Sequence, residues 1–246
     1  MRPAPVQLLL IPGLACDATV WAPQLAYFAS QPAITVHVAR LDVQGSAQAM
    51  AQDLLRRYPG PLAVAGFSLG GYVAQEMALQ APQRLQALAL LSTQAGTDPP
   101  AMADVRAGWT RTAQQEGMAA MTPVFLDKLA SAGYLADSTH RHALQAMIER
   151  HPVDAFCAEQ EAIRTRRDCS QAVARLHGPT LAVIPADDAL VPVANQHGMA
   201  RACGMKTVLE VPGCGHTVML EAPQVVNAAM QAWIEQATAT PSPPSV

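Results

Sequence analysis

Ser68 has the clearest setting for covalent chemistry in this sequence, because it is the centre of a G-x-S-x-G motif. The apolar run Leu62–Ala65 before the motif predicts a buried strand, and the pattern after it predicts a helix beginning near Leu69. A sharp turn between them would raise Ser68 above the strand end, and Gly66 and Gly70 would permit the close backbone approach that such a turn needs. We therefore predict a nucleophilic serine. The alternative is a glycine-rich turn with an incidental serine.

A serine hydroxyl is a weak nucleophile, so it needs a base within hydrogen-bond reach and an acid that orients the base. The chain has seven histidines, and His216 differs from the others because it follows the apolar run Thr207–Val211 in a glycine-rich turn. Loops at the carboxyl ends of parallel strands form the ligand sites of α/β sheets, which favours His216 as the base. The alternative is a buried histidine whose ring nitrogens are satisfied inside the core.

Two adjacent carboxylates are candidates for the orienting acid. Asp187 and Asp188 follow the apolar run Leu181–Ile184, so we expect them at the same edge of the sheet as Ser68 and His216. The spacing along the chain does not separate the two aspartates, and both remain candidates on this ground.

The elements that position these residues follow from the hydrophobic pattern. Six apolar runs predict strands at Val6–Ile11, Ile34–Val38, Leu62–Ala65, Ala87–Leu91, Leu181–Ile184 and Thr207–Val211. Helical patterns lie between them at Ala18–Ser30, Ala47–Arg57, Gly70–Gln80, Val193–Ala202 and Gln224–Gln236. Runs with little polar alternation suit strands that are covered on both faces. This order therefore predicts an α/β fold with a doubly wound, mostly parallel sheet.

The alternation of strands and helices stops between residues 97 and 176. We interpret this stretch as an inserted helical cap, residues 1–96 and 177–236 as the core, and residues 237–246 as a disordered Pro/Ser-rich tail. The large apolar side chains of the predicted cap either line an acyl pocket or pack the cap onto the sheet. They are Trp109, Met118, Met121, Phe125, Met147 and Phe156. A basic cluster near the end of the predicted cap contains Arg164, Arg166 and Arg167. It either meets an acidic acyl group or carrier protein, or it forms a solvated helix end.

The composition excludes several classes of protein. Of 246 residues, 50% are hydrophobic and 14% are charged, which excludes a disordered chain and a coiled coil. A net charge of −3 gives no basic surface for nucleic acid. The five cysteines lack metal-like spacing and indicate free thiols of a reducing compartment, and no apolar stretch approaches the ~20 residues of a membrane helix. We therefore expect a cytoplasmic protein that binds neither nucleic acid nor a membrane.

Four segments resemble the α/β-hydrolase superfamily, namely LLLIPGLACD at residues 8–17, GFSLGG at 66–71, ADDALVP at 186–192 and GCGHTVMLEAP at 213–223. The resemblance implies that Asp188 rather than Asp187 is the acid, and that the N–H groups of Leu14 and Leu69 form an oxyanion hole. It also implies a sheet of about six strands, because the first strand here matches the third strand of the family. Pro12 departs from the family pattern, which usually has a histidine at this position.

These residues together predict a serine hydrolase that cleaves carboxylic esters through an acyl-enzyme, with Ser68 as nucleophile, His216 as base and Asp188 as acid. Its partner would be a small-molecule ester or acyl substrate, and the chemistry requires no metal and no organic cofactor. The same triad on similar scaffolds hydrolyses thioesters, lactones and carbon–carbon bonds, so these activities are alternatives. A ligand sensor that retains the triad but turns over poorly is a further alternative.

Overall fold

The computed structural model describes residues 5–41 and 45–239, and six strands form one sheet in this part of the chain. The strands are β1 (Val6–Ile11), β2 (Ile34–Val38), β3 (Leu62–Phe67), β4 (Leu85–Leu91), β5 (Thr180–Pro185) and β6 (Thr207–Val211). Their order across the sheet is β2-β1-β3-β4-β5-β6, and every neighbouring pair is parallel. The predicted α/β fold with a parallel sheet is therefore confirmed.

The helices of the described residues cover both faces of the sheet. They are α1 (Ala22–Ala29), α2 (Ala47–Arg57), α3 (Leu69–Gln80), α4 (Ala103–Glu116), α5 (Thr122–Leu129), α6 (Ala132–Leu135), α7 (Ser138–Glu149), α8 (Val153–Arg164), α9 (Ser170–Ala174), α10 (Val193–Ala202), α11 (Val218–Glu221) and α12 (Pro223–Ala239). Alternate residues of β1 show the two faces: Leu8 and Leu10 pack with α1 and α12, whereas Leu9 and Ile11 pack with α2 and α3. Burial on both faces explains why the strands read as continuous apolar runs.

The structure extends β3, β4, β5, α3 and α12 by one to three residues at one or both ends beyond the predicted bounds. Two further differences have a physical reason. The helix predicted at Ala18–Ser30 is a 3₁₀ turn at Ala18–Trp21 followed by α1, because Pro23 lacks an N–H and fits only the first turn of a new helix. The tail predicted from residue 237 starts too early, since α12 continues through Ala239. Ala237 favours the helix through its high intrinsic propensity. Residues 240–246 lie outside the described residues.

The segment from the 3₁₀ turn Pro100–Met102 to the end of α9 connects β4 to β5, and we call it the helical insertion. Apolar residues from α5 and α7, such as Phe125 and Met147, belong to the same buried cluster as Leu10 of β1. The last helix, α9, packs against α3 and α10 of the core. The helical insertion is thus continuous with the hydrophobic core on one side of the sheet.

A buried ion-pair cluster joins the two ends of the helical insertion. Asp98, which precedes it, lies 2.7 Å from Nε of Arg106 in α4 and 2.6 Å from Nη1 of Arg166, which follows α8. Arg166 also donates hydrogen bonds to the carbonyl oxygens of Gly96 and Thr97, at 3.1 and 3.2 Å. This polar cluster therefore links the segment before the helical insertion to α4 and to the stretch between α8 and α9.

No helix within residues 5–41 and 45–239 is both long enough and apolar enough to cross a membrane.

Candidate active site

Ser68 lies between the end of β3 and the start of α3, in a backbone conformation that is rare for serine. Its φ is 53° and its ψ is −116°. The Ser68 N–H donates to the Leu91 carbonyl at 3.0 Å, and its own carbonyl accepts hydrogen bonds from the Gly71 N–H at 2.9 Å and from Thr93 Oγ1 at 2.8 Å. A positive φ at a non-glycine residue costs on the order of 1–3 kcal/mol and persists only where the surroundings fix it. These hydrogen bonds hold Ser68 in the strained turn.

Gly66 and Gly70 occupy the two positions where this turn brings backbones into contact. A Cβ on Gly66 would lie 2.4 Å from the Gly70 carbonyl oxygen. A Cβ on Gly70 would lie 2.3 Å from the Ile11 carbonyl oxygen. The motif glycines are therefore required by the close packing of α3 on β3 and β1.

His216 and Asp188 lie side by side after the carboxyl ends of β6 and β5. His216 Nδ1 is 2.8 Å from Asp188 Oδ2, and both residues are buried. Oδ1 of Asp188 accepts the N–H groups of Leu190 and Val191, at 2.8 and 2.9 Å. The neighbouring Asp187 is exposed, and its N–H donates to the Cys214 carbonyl. Of the two candidate aspartates, only Asp188 thus reaches the imidazole.

The environment of Asp188 favours its charged form. Burial alone would raise the pKa of this carboxyl, but the nearby His216 and the backbone N–H groups of Val191 and Leu190 outweigh it, so the pKa is lowered. A carboxylate held in this way accepts the Nδ1–H of the imidazole. Nε2 is then the nitrogen left to accept a proton.

Gln196 of α10 also holds Asp188, and its role was not predicted from the sequence. This fully buried side chain donates through Nε2 to Asp188 Oδ2 at 2.8 Å and to the Val191 carbonyl at 2.9 Å. A buried glutamine in a helix is a signal for such a contact, but the sequence pattern does not identify the partner.

Ser68 and His216 line one pocket beneath the helical insertion. The cavity has a volume of about 130 Å³. Its wall is mainly apolar, with Leu14, Phe67, Met102, Trp109, Phe125, Leu129, Ile148, Ile163, Leu190 and Val191, and its polar members include Tyr72, Gln94 and Arg106. The ring of Phe67 lies 4.9 Å from that of His216, measured between centroids. The pocket thus combines an apolar binding volume with a few oriented polar groups.

The two predicted oxyanion donors lie near Ser68 in different elements. The Leu69 N–H belongs to the first turn of α3, where backbone N–H groups have no acceptor within the helix. Leu14 lines the pocket, and no residue of the described ranges accepts a hydrogen bond from its N–H. The N-terminus of α3 adds a partial positive charge at this position. Both groups are therefore available to an anionic oxygen.

The large apolar residues of the helical insertion divide between the pocket and the core. Trp109 and Phe125 line the pocket. The others, Met118, Met121, Met147 and Phe156, are buried in the apolar core. Pocket residues that the sequence analysis missed include Met102, Leu129 and Ile148, which helical periodicity alone does not separate from core residues.

The basic cluster at the end of the helical insertion is not a single solvated surface. Arg166 is buried in the Asp98 cluster, and its guanidinium lies 4.5 Å above the ring centroid of Tyr72. Arg167 pairs with the buried Glu76 at 2.6 Å, and the half-exposed Arg164 pairs with Glu161 at 2.6 Å. Arg164 and Arg167 are thus both half-exposed, and Arg164 is the one that lies at a helix end, whereas Arg166 is buried.

The cysteines near the pocket are poor nucleophiles. All five cysteines are free, and burial is the main cause that raises the pKa of Cys214 to about 11 and the pKa of Cys16 beyond its ordinary range. Within the part of the chain that the structure describes, no group of three or more His, Cys, Asp or Glu side chains is placed to hold a metal ion.

The loop that carries His216 is anchored to the helical insertion. The Thr217 N–H donates to the Leu129 carbonyl of α5 at 2.7 Å. Glu221 Oε2 accepts the N–H groups of Gly215 and Ser131, at 3.0 and 2.9 Å. The position of the histidine therefore depends on the helical insertion as well as on β6.

Comparisons with known proteins agree with this architecture. The sequence profile described as the alpha/beta hydrolase family matches residues 8–229. The chain is 24% identical over 245 residues to a protein of Rhizobium rhizogenes provisionally named carbamate hydrolase RutD, with 92% of this chain and 91% of the relative covered. It is 35% identical over 97 residues to the pimeloyl-acyl-carrier-protein methyl ester esterase of Klebsiella pneumoniae. This match covers 35% of this chain and 36% of the relative. The solved structure of a thermophilic esterase from Thermogutta terrifontis has a TM-score of 0.85 at 24% identity, covering 96% of this chain and 92% of that one. Because the family profile spans most of the chain and the fold agrees, the protein belongs to the alpha/beta hydrolase family.

Proposed function

We propose that this protein is a serine hydrolase that cleaves carboxylic esters of small molecules through an acyl-enzyme. One arrangement carries the proposal: Ser68 and His216 line the same pocket, and Nδ1 of His216 lies 2.8 Å from the buried Asp188 carboxylate. A serine nucleophile, a general base and an orienting acid are the groups that acyl transfer requires.

In the proposed mechanism, Ser68 Oγ attacks the ester carbonyl while Nε2 of His216 takes its proton. Asp188 holds the other ring nitrogen and stabilises the imidazolium. The N–H groups of Leu14 and Leu69 bind the oxyanion, and each such donor contributes about 3–4 kcal/mol in comparable sites. His216 then protonates the leaving alcohol, and water repeats both steps on the acyl-enzyme.

The names of two relatives support an ester as the substrate class. One is a methyl ester esterase and one is a thermophilic esterase. The pocket volume of about 130 Å³ further supports a small acyl group, since an apolar cavity of roughly 150 Å³ holds one molecule the size of benzene.

A series of p-nitrophenyl esters from acetyl to decanoyl tests substrate class and size together. We expect kcat/KM to be highest for acyl groups of about two to four carbons, because longer chains exceed the cavity volume of about 130 Å³. A thioester, a lactone and a substrate with a cleavable carbon–carbon bond, all of matched size, are tested for comparison. If one of these has a higher kcat/KM than the esters, the proposed ester substrate is wrong and that class takes its place. Negligible turnover of all of them, with thermal stabilisation by the same compounds, would indicate a ligand sensor.

The Ser68→Ala variant tests the nucleophile. We expect ester turnover to fall by at least about 10³-fold, because the acyl-enzyme cannot form. A fluorophosphonate probe should label the wild-type peptide that contains Ser68 and should not label the variant. Ser30→Ala is the matched control, since the Ser30 hydroxyl is exposed and donates only to the Tyr27 carbonyl. Labelling at another residue, or intact turnover in Ser68→Ala, would overturn the proposal.

A further inference from the structure

Glu159 of α8 is a buried carboxylate that the proposed triad does not use. It is 2% exposed and lies on the same helix face as the buried Phe156 and Ile163. Burial of a charged group costs several kcal/mol unless hydrogen bonds or an opposite charge compensate for it. Oε2 of Glu159 accepts the backbone N–H of Ala15 at 2.9 Å, across 144 positions of sequence.

Ala15 is the residue directly after Leu14, and its φ is 55°. The left-handed conformation costs an alanine roughly 1–2 kcal/mol, so this turn needs an external constraint. Local hydrogen bonds constrain the turn only weakly. The Cys16 N–H donates to the Gly13 carbonyl at 3.2 Å, and the Cys16 thiol lies 3.3 Å from the Leu14 carbonyl oxygen. The bond to Glu159 fixes the peptide plane between Leu14 and Ala15. The Leu14 N–H belongs to the preceding peptide, so Glu159 restrains it through the backbone torsions of Leu14.

A second contact joins the same two regions of the molecule. Arg150, at the corner between α7 and α8, lies 2.6 Å from Oδ2 of Asp17 and donates to Thr19 Oγ1 at 2.8 Å. The next residue, His151, places Nε2 3.1 Å from the Glu159 carboxylate. The helical insertion thus contacts the loop that follows β1 at Ala15 and again at Asp17.

We propose that Glu159 is a positioning residue: it holds the Leu14–Ala15 peptide so that the Leu14 N–H faces the oxygen that develops charge next to Ser68. This inference rests on the proposed function, because Leu14 is an oxyanion donor only in an acyl-transfer enzyme. The helical insertion then sets transition-state stabilisation as well as the shape of the pocket. Loss of the Glu159 bond therefore lowers kcat, whereas substrate affinity depends mainly on the apolar wall.

Three variants test this role with a short-chain p-nitrophenyl ester. Glu159→Met has a similar volume but no acceptor, and we expect kcat to fall about 10- to 100-fold with KM within threefold of wild type, since the donor is displaced rather than removed. Glu159→Gln keeps a carbonyl oxygen for the Ala15 N–H, and kcat should stay within about threefold. Glu161→Met is the control, because Glu161 lies on the same helix, its side chain is half-exposed and its carboxylate pairs with Arg164. The Thr165 hydroxyl donates to the backbone carbonyl of Glu161, which the substitution keeps.

Amide hydrogen exchange at Ala15 gives a second readout that needs no substrate. Exchange should accelerate in Glu159→Met and should remain slow in Glu159→Gln and Glu161→Met. Binding of a boronic acid, which forms a tetrahedral adduct on serine, should weaken in parallel with kcat, whereas binding of the free carboxylic acid product should not change. If Glu159→Met does not fold, Glu159→Asp replaces it, because this change withdraws the carboxylate by one methylene group. We again expect a lower kcat with KM within threefold of wild type.

The outcomes separate the two proposals. A wild-type protein without ester turnover contradicts the proposed function, and Ala15 exchange still shows whether Glu159 holds the loop. With an active wild type, a folded Glu159→Met variant with unchanged kcat contradicts the positioning role. An effect on KM alone, or equal losses in the Met and Gln variants, contradicts it as well.

Discussion

Asp188 and Asp187 carry the same side chain in adjacent positions, yet their surroundings differ completely. Asp188 is buried and accepts hydrogen bonds from two backbone N–H groups, from Gln196 and from the imidazole of His216, whereas Asp187 is exposed. At the scale of single residues, the role of a carboxylate is therefore set by the atoms that face it, and a neutral amide in its place tests that role.

Asp188→Asn is expected to lower kcat by roughly 10³- to 10⁴-fold, because an amide that donates to Nδ1 leaves His216 in the wrong tautomer while the geometry is kept. The measurement is steady-state ester hydrolysis at pH 7–8. Asp187→Asn serves as the control and should stay within about twofold of wild type. Similar losses in both variants, or less than a tenfold loss in Asp188→Asn, would remove Asp188 from the mechanism.

At the scale of elements, the turn between β3 and α3 depends on backbone contact. A Cβ on Gly70 would lie 2.3 Å from the Ile11 carbonyl oxygen. Both positions are fixed by the backbone, so no rotation of a side chain relieves the clash. Gly198, in the middle of α10, has nothing within 4 Å of its Cβ position. The two helical glycines therefore respond to the same substitution in opposite directions.

Gly70→Ala is expected to lower the free energy of unfolding by at least about 2 kcal/mol, because α3 has to move away from β1. Ester turnover should fall with it, since Ser68 precedes this turn of the helix. Gly198→Ala should raise the free energy of unfolding by up to about 1 kcal/mol, because alanine favours a helix interior. Urea unfolding measures both variants. Equal stability of Gly70→Ala and wild type would show that the close approach of the backbones is not required.

At the scale of the whole molecule, the Asp98 cluster joins the helical insertion to the core. Burial raises the pKa of Asp98, but the guanidinium groups of Arg106 and Arg166 outweigh burial and hold this pKa below its ordinary value. The folded-state pKa thus lies below the unfolded value of about 3.9. The stabilisation is present above the unfolded pKa and is lost as the pH falls through the folded pKa.

Asp98→Asn is expected to destabilise the protein by about 3 kcal/mol at pH 7, since it leaves the buried Arg166 without a counter-charge. The difference in the free energy of unfolding between variant and wild type should begin to narrow below about pH 4, where Asp98 of the unfolded wild type becomes protonated. It should continue to narrow until the pH falls through the lower pKa of Asp98 in the folded protein. Urea unfolding from pH 7 to pH 3 measures this difference. Asp104→Asn, at an exposed position in α4, is the control. A difference that is constant with pH would contradict the ionic role of Asp98.

The sequence predicted those features that arise from local pattern. The bounds of β1, β2, β6, α2 and α10 agree with the predicted ones, because apolar runs and helical periodicity depend on neighbouring residues. Glu159 and Arg166 were not predicted to have the contacts they make, since their partners Ala15 and Asp98 are 144 and 68 positions away. The contact of Gln196 with Asp188 spans only eight positions, but it depends on how α10 packs beside the loop that follows β5. A signal for Glu159 did exist, namely a carboxylate on the apolar face of α8, but helical periodicity does not identify its partner.

The helical insertion is not an interchangeable module. The Leu129 carbonyl accepts a hydrogen bond from the loop of His216, and Glu159 accepts one from the loop of Leu14. Both loops beside Ser68 are therefore hydrogen-bonded to the helical insertion. Recombination that transplants a relative's insertion into this scaffold would break both sets of bonds at once. A functional chimaera therefore has to exchange the two loops together with the helices, which restricts how substrate preference can diverge by segment exchange.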